Sequence, residues 1–171
     1  LFLLITLALN AQNNKTSGLN ARQFHKYWKV ESESPDYKVT FLGDTVEILS
    51  PKGLTLWRKE KMSGKVTIEY DACVVVEVEG DRLSDLNCFW MASDPQYPDN
   101  IWKREKWRSG IFLNCYSLQL YYMGYGGNHN STTRFRRYDG NEAAITNAKA
   151  RPAILKEYTD ADHLLEANKW Y

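Results

Sequence analysis

Polar and apolar residues alternate along most of this chain, and this period of two constrains the fold more than any other feature. The alternation is clear at residues 37–41 and 45–49, and Gly43-Asp44 between them is a β-hairpin signal. Segments rich in β-branched and aromatic residues predict further strands at 54–58, 65–78, 86–91, 109–115, 118–125 and 132–138. Helical patterns are limited to residues 19–28 and 160–167. The pattern predicts an all-β protein, an antiparallel β-sandwich or jelly roll with minor short helices.

Composition narrows the classes of partner. The chain has 171 residues, of which 43% are hydrophobic and 25% charged, as expected for one globular domain. With 22 basic and 21 acidic side chains, the formal charge is +1. This charge is too small to attract the phosphate backbone of a nucleic acid in general, so no nucleic-acid partner is expected. Eleven Tyr and six Trp are an excess typical of cores and of flat binding platforms.

The first residues have the pattern of an export signal. Leu1 to Leu9 is an apolar run, too short to span a bilayer, and Asn10-Ala11-Gln12 follows it. We therefore interpret residues 1–11 as a partial signal peptide, with the mature chain starting near Gln12 and exported to the periplasm or the exterior. The alternative is a buried N-terminal strand. Residues 12–27 are then a linker with a short helix, and residues 28–171 form the jelly-roll domain.

The last residues, Trp170-Tyr171, are typical of the opening of a strand. This ending indicates a C-terminally truncated domain in which at least one hairpin is missing. The alternative is a natural C-terminus with both rings docked on the core.

The three cysteines lie in apolar, strand-like segments and not in any C-x-x-C spacing: Cys73, Cys88 and Cys115. Buried cysteine behaves as a small hydrophobe, so we expect all three in the core and assign no zinc site. Calcium is a possibility in a sandwich, with Asp94, Asp99 and residues 81–85 as candidates, but no loop has a calcium spacing. No metal or other cofactor is assigned.

Several segments resemble a known superfamily. Residues 53–59, 64–71 and 108–112 are together similar to the concanavalin A-like lectin and glucanase jelly rolls. Within that superfamily, Tyr121 to Asp139 looks like the signature of a secreted Bacteroidota domain family of unassigned function, associated with polysaccharide degradation, and the resemblance covers roughly residues 20–171. In that family the chain continues past Trp-Tyr into a last hairpin. The resemblance implies a carbohydrate ligand and leaves open whether the protein is a lectin, a hydrolase or a lyase.

The candidate catalytic residues lie around a Gly-rich segment, Gly126-Gly127-Asn128-His129-Asn130. A neutral imidazole can take a proton near neutral pH, and arginine can bind a uronate carboxylate. As a hypothesis for β-elimination from an acidic polysaccharide, His129 is the base, Tyr125 or Tyr121 the acid, and Arg134 or Arg136 the carboxylate clamp. The alternative is a hairpin turn followed by a solvated arginine face.

The competing hypothesis is a noncatalytic carbohydrate-binding module, in which aromatic rings stack on sugars and amides bond hydroxyls. The candidate substrate-binding residues for either class are Asn87, Trp90, Trp102, Trp107, Arg108, Asn128 and Asn130. For the loop tryptophans, packing onto the sandwich is the alternative; Trp28 and Trp57 are expected in the core.

Carboxylate pairs offer a hydrolase route, since Glu69 with Asp71, or Glu77 with Glu79, share a strand face. Related glucanases use a Glu-x-Asp-x-x-Glu arrangement whose third acid is absent here, so these residues are not assigned. A surface-scaffolding domain without sugar binding is a third class. The sequence-based expectation is an exported protein that degrades a uronate-containing polysaccharide by lyase or hydrolase chemistry, with a lectin-like module as the alternative. Its partner is a poly- or oligosaccharide, and its oligomeric state is left open.

Overall fold

The structure is a computed structural model that describes residues 2–6 and 21–171. The strands are β1 Phe2–Thr6, β2 Trp28–Ser32, β3 Lys38–Leu42, β4 Thr45–Leu49, β5 Leu54–Arg58, β6 Asp71–Val75, β7 Leu86–Ser93, β8 Gln119–Gly126, β9 Thr132–Asp139 and β10 Ile154–Tyr158. The longest helix is α1, Ala21–Tyr27. Shorter helical turns lie at Ile101–Arg104, Glu105–Arg108, Phe112–Ser117, Gly127–Asn130, Ala143–Thr146, Ala148–Ala150 and Ala161–His163. The prediction of an all-β protein with antiparallel sheets and minor short helices is confirmed; the jelly-roll identity stays a prediction.

The chain divides into two compact units. The first runs to Arg82 and includes Glu166–Tyr171, and the second is Leu83–Leu165. Each unit has its own four-stranded antiparallel sheet, and the first also has a two-stranded sheet.

The larger sheet of the first unit has the strand order β3-β4-β1-β6, and β2 pairs with β5. The predicted hairpin is confirmed: β3 and β4 pair antiparallel, and Gly43 has the positive φ of 67° that suits glycine in the turn. Val46 and Ile48 on β4 are buried, as the alternation predicts. Strand β6 is buried over four consecutive residues and also pairs with the chain end, where Tyr171 exchanges backbone hydrogen bonds with Ala72.

The sheet of the second unit has the order β10-β9-β8-β7. Burial alternates along β8, where Leu120 and Tyr122 are buried while Tyr121 and Tyr125 are half-buried. The buried face packs against Phe112–Ser117, since the Phe112 and Tyr122 rings lie 5.7 Å apart and the Tyr116 and Tyr138 rings 4.8 Å apart. These rings form the core of the unit.

Three sequence predictions of secondary structure are wrong in part. The predicted strand at 109–115 is a turn into a 3-10 helix, because Ser109 and Gly110 take positive φ and the aromatic side chains that follow pack on the sheet. Of the predicted strand at 65–78 only Asp71–Val75 forms, since residues 65–69 are exposed and the Asp81 carboxylate accepts from the backbone of Glu77 and Val78 to close a turn. The predicted helix at 160–167 is only Ala161–His163, and β10 was not predicted.

The signal-peptide prediction falls largely on residues 1 and 7–11, which lie outside the described residues. Phe2–Thr6 forms β1, which pairs with both β4 and β6. Helix α1 lies inside the segment predicted as linker and short helix.

Two of the three cysteines lie in the core as expected, and none of the three forms a disulfide with a described residue. Cys73 and Cys115 are buried and Cys88 is half-buried. Burial raises the pKa of Cys73, which keeps the thiol protonated at neutral pH.

Candidate functional site

The loop between β8 and β9 has an unusual backbone. Asn128, His129 and Asn130 all take left-handed φ, at 52°, 58° and 57°. Left-handed backbone costs roughly 1–2 kcal/mol per residue, although Asn tolerates it better than most side chains. Such a run persists only where the surrounding structure holds it.

Side-chain hydrogen bonds to residues 163–165 hold this loop. The Asn130 amide donates to the Leu165 carbonyl at 2.9 Å and accepts from the Leu165 N–H at 2.8 Å. The Tyr125 hydroxyl donates to the Leu164 carbonyl at 3.2 Å, and the Thr133 hydroxyl donates to the His163 carbonyl at 2.5 Å. Asn130 and Tyr125, two predicted site residues, therefore anchor the loop.

The other two predicted loop residues lie at its tip. Asn128 and His129 are exposed, and the Asn128 amide donates to the Ser131 hydroxyl at 3.0 Å. His129 makes no hydrogen bond with the described part of the chain. The anchored loop thus presents an exposed imidazole.

The register of the sheet divides the predicted catalytic residues between two faces. Tyr122 lies opposite Arg136, and Gly124 lies opposite Arg134, so both arginines share the face of Tyr122. We call this the Tyr122 face. Tyr121 and Tyr125 point to the opposite face, so the structure does not bring the predicted acids and the predicted clamp together.

On the Tyr122 face the arginines already have partners. Arg134 is paired with Glu157 of β10, and Arg136 donates to the Pro152 carbonyl. The Tyr122 hydroxyl donates to the side-chain oxygen of Asn87 at 3.0 Å. Burial, followed by the negative charge of Asp85, raises the pKa of Tyr122, while Arg136 and Arg134 oppose that rise. The phenol is therefore held in its neutral form.

The opposite face carries three half-buried aromatic rings, those of Trp90, Tyr121 and Phe135. Their centroids are 5.9, 5.8 and 5.9 Å apart, and their planes lie within 21° of one another. In a column of three stacked rings, the two outer centroids would be twice as far apart as neighbouring ones. The three distances are nearly equal, so the rings lie beside one another with their planes offset. We call this surface the Trp90 face.

Arg137 completes the Trp90 face. It lies directly opposite Tyr121 in the ladder, it is exposed, and it forms no ion pair or hydrogen bond within residues 21–171. The Tyr121 hydroxyl likewise has no hydrogen-bond partner among the described residues. A guanidinium without a partner in the described part of the chain therefore lies beside a patch of aromatic rings.

The His129 loop is remote from this patch. Strands rise about 3.3 Å per residue, which puts Tyr121 about 13 Å along β8 from Tyr125 and farther from the loop. His129 and Tyr121 therefore do not act on the same bond of one sugar ring.

The remaining predicted binding residues lie in the segment between β7 and β8, which an ion-pair network holds. Asp94 is fully buried and accepts two hydrogen bonds from Arg104, each 2.8 Å long, and Arg104 also pairs with Glu142. Burial raises the pKa of Asp94, but hydrogen bonds from Arg104 and the Gln96 backbone outweigh it, and the pKa ends below its ordinary value. Asp94 is thus a buried structural anion.

Trp102, Trp107 and Arg108 differ in their access to solvent. The Trp107 ring is exposed and lies under the Arg104 guanidinium at 5.0 Å, and Trp102 is half-buried. Arg108 is fully buried and donates to the Ile101 carbonyl at 2.8 Å, so in this structure it supports the loop. Of the three, Trp107 is the most available to a ligand.

The described residues contain no group of three or more His, Cys, Asp or Glu side chains placed to hold a metal ion. Within the same residues, no helix has both the length and the apolar character needed to cross a membrane.

Comparison with family models gives one match. Residues 48–171 match the family described as "Domain of unknown function (DUF6250)". The chain belongs to this family. The match covers every candidate site residue and confirms the expected domain of unassigned function. No curated protein and no solved structure matches the chain.

Sequence reasoning found Trp90 and Tyr121, placed Arg137 on the strand face opposite Arg134 and Arg136 without assigning it to the site, and missed Phe135. Alternation along β9 separates Arg137 from Arg136, so the sequence contained a signal for its direction. What the sequence lacks is the pairing of β8 with β9, which places Arg137 opposite Tyr121.

Proposed function

We propose that this protein is an exported, carbohydrate-active protein that binds a uronate-containing polysaccharide on the Trp90 face. The observation that supports this proposal is the guanidinium of Arg137, unpaired among the described residues and directly opposite Tyr121, beside the rings of Trp90 and Phe135. Aromatic rings pack against the apolar faces of sugars, and arginine recognises carboxylates in a planar, two-bond geometry. The resemblance to concanavalin A-like proteins and to a Bacteroidota family associated with polysaccharide degradation favours the same ligand class.

Arg137 and the aromatic rings are expected to contribute differently to the free energy of binding. Exposed ion pairs are worth about 0–1 kcal/mol, so Arg137 supplies selectivity for acidic sugars more than affinity. Burial of aromatic surface supplies the affinity, at about 25 cal/mol per Å². We expect Trp90→Ala to weaken binding about tenfold or more and Arg137→Gln to weaken it about two- to fivefold.

Affinity electrophoresis and calorimetry with polygalacturonate, alginate and a neutral β-glucan test the proposal. The Arg137→Gln variant should lose its preference for the acidic polymers. Added salt should lower the affinity of the wild type for these polymers to about that of the variant. Matched controls are Arg22→Gln and Trp170→Ala, which remove an exposed guanidinium and an exposed indole of the first unit. If Trp90→Ala and Arg137→Gln bind all three polymers as the wild type does, the Trp90 face is not the site.

A second candidate is cleavage by β-elimination, which the Tyr121 hydroxyl favours because it lies opposite Arg137 and has no hydrogen-bond partner among the described residues. Arg137 would neutralise the carboxylate and so acidify C5–H. The Tyr121 oxygen would accept the C5 proton and donate a proton to the departing O4, while the C5–H and C4–O bonds break and a C4–C5 double bond forms. Absorbance of unsaturated uronate and reducing ends are followed together with the same polymers. A rise in both that Tyr121→Phe abolishes indicates a lyase, reducing ends alone indicate a hydrolase, and binding with neither indicates a noncatalytic module.

A further inference from the structure

A groove of about 460 Å³ lies wholly within the first unit, away from the Trp90 face in sequence and independent of it. Its walls come from α1, β2, the start of β3 and the residue that follows β5. The volume falls in the range of small-molecule sites in proteins.

The apolar part of the groove consists mainly of rings. Phe24 is buried and meets Phe41 edge-on, with centroids 5.5 Å apart. Trp28 and Val30 share one side of β2, and the exposed ring of Tyr37 forms the rim. Phe24, Trp28, Val30 and Tyr37 thus contribute to the apolar lining of the groove.

The polar part of the groove is cationic. Lys29 and Lys59 line it, and none of the described residues that line it is a carboxylate. The Lys59 ammonium donates to the His25 carbonyl at 2.6 Å, which fixes its position and leaves two of its three donors for a ligand. Arg58 lies over the Trp28 ring at 5.7 Å but is ion-paired with Glu60, so the positive charge of the groove comes from its lining lysines. The electrostatics therefore favour an anion.

We propose that this groove binds a small organic carboxylate that carries a ring, with the ring against Trp28 and Tyr37 and the carboxylate on Lys59. Two classes of compound carry both a ring and a carboxylate, the uronic acids and the aromatic acids. This site does not depend on the function proposed for the second unit.

Titration of the ¹⁵N-labelled chain with galacturonate and with benzoate, following the backbone amides of β2, tests the proposal. Galactose and benzamide are the uncharged counterparts. The expected result is saturable shifts in β2 for at least one carboxylate at up to about 10 mM and much smaller shifts for its neutral counterpart. A response to galacturonate identifies a uronic-acid site and a response to benzoate an aromatic-acid site.

Variants distinguish binding in the groove from unspecific attraction of anions to exposed lysines. Lys59→Gln should weaken carboxylate binding about two- to fivefold, because Lys59 is exposed and exposed ion pairs contribute little. Tyr37→Ala should also weaken it, whereas Lys61→Gln, an exposed lysine outside the groove, should bind as the wild type. Equal shifts with the neutral counterparts, wild-type affinity in Lys59→Gln, or no saturable shift with either acid would overturn the proposal.

Discussion

The hydroxyl of Tyr122 fills the space that a β-carbon would occupy at Gly124, two residues along the same strand. The Tyr122 ring lies across the glycine because it is held by Phe89, Phe112 and Tyr138, whose ring centroids are 5.4, 5.7 and 5.5 Å away. The ring therefore has no room to move aside. Gly124 is required here for its lack of a side chain, not for its backbone angles.

We expect Gly124→Ala to lower the free energy of unfolding by about 1–3 kcal/mol, the usual cost of overpacking a core. Urea denaturation measures the change. Gly127→Ala is the matched control, because a β-carbon there meets only ordinary contacts at 3.6 Å or more. Equal stability of Gly124→Ala and wild type would show that the Tyr122 ring is free to move.

The buried pair of Asp94 and Arg104 makes stability depend on pH. The pKa of Asp94 is lowered in the folded protein, so its contribution to stability is fully present above the unfolded value of about 3.9 and is lost as pH falls through the folded value. We expect Asp94→Asn to lower the free energy of unfolding by about 3–5 kcal/mol at pH 7 and to flatten its decline below about pH 4. Urea titrations between pH 7 and about pH 2 measure both effects.

Asp99→Asn removes an exposed carboxylate from the same segment and serves as the control for charge alone. An acid decline that is as steep in Asp94→Asn as in the wild type would assign the pH dependence to other carboxyl groups.

The bonds between Asn130 and Leu165 hold the left-handed loop, and three substitutions separate their contributions. Asn130→Gly keeps the backbone angles but loses both hydrogen bonds, Asn130→Asp keeps the acceptor but loses the donor, and Asn130→Ala loses the bonds and the tolerance for positive φ. We expect Ala to be the most destabilising, at about 2–3 kcal/mol, and Asp the least. Thermal unfolding and hydrogen exchange at the Leu165 amide measure the order of stability of the three variants. The same unfolding midpoint for all three would show that these hydrogen bonds do not stabilise the loop.

Strand β1 and the predicted signal peptide use the same residues, and deletion distinguishes their roles. If β1 belongs to the mature sheet, a chain of residues 12–171 loses pairing on both β4 and β6, and their amides should exchange faster than in the full chain. If residues 1–11 are a cleaved signal, the shorter chain should fold with equal stability. Hydrogen exchange of the two chains, with the amides of β9 as internal reference, decides between them.

The sequence by itself determined the β class and the direction of side chains within each strand. The alternation around Gly43-Asp44 predicted β3 and β4. Along residues 118–125 and 132–138, the same period of two placed Tyr121 and Tyr122 on opposite strand faces, and likewise Arg136 and Arg137. These features are local, because neighbouring residues on a strand point to opposite faces whatever the strand pairs with.

Only the tertiary structure decided which residues meet. Pairing of β8 with β9 placed Arg137 opposite Tyr121, while Arg134 and Arg136 have partners on the other face. In the strand-like segment 109–115, Ser109 and Gly110 take positive φ and the Phe112 ring packs on Tyr122, so the segment forms a turn and the start of a 3-10 helix and not a strand. Register and packing join residues distant in sequence, so they depend on the free energy of the whole unit and not on the pattern of any one segment.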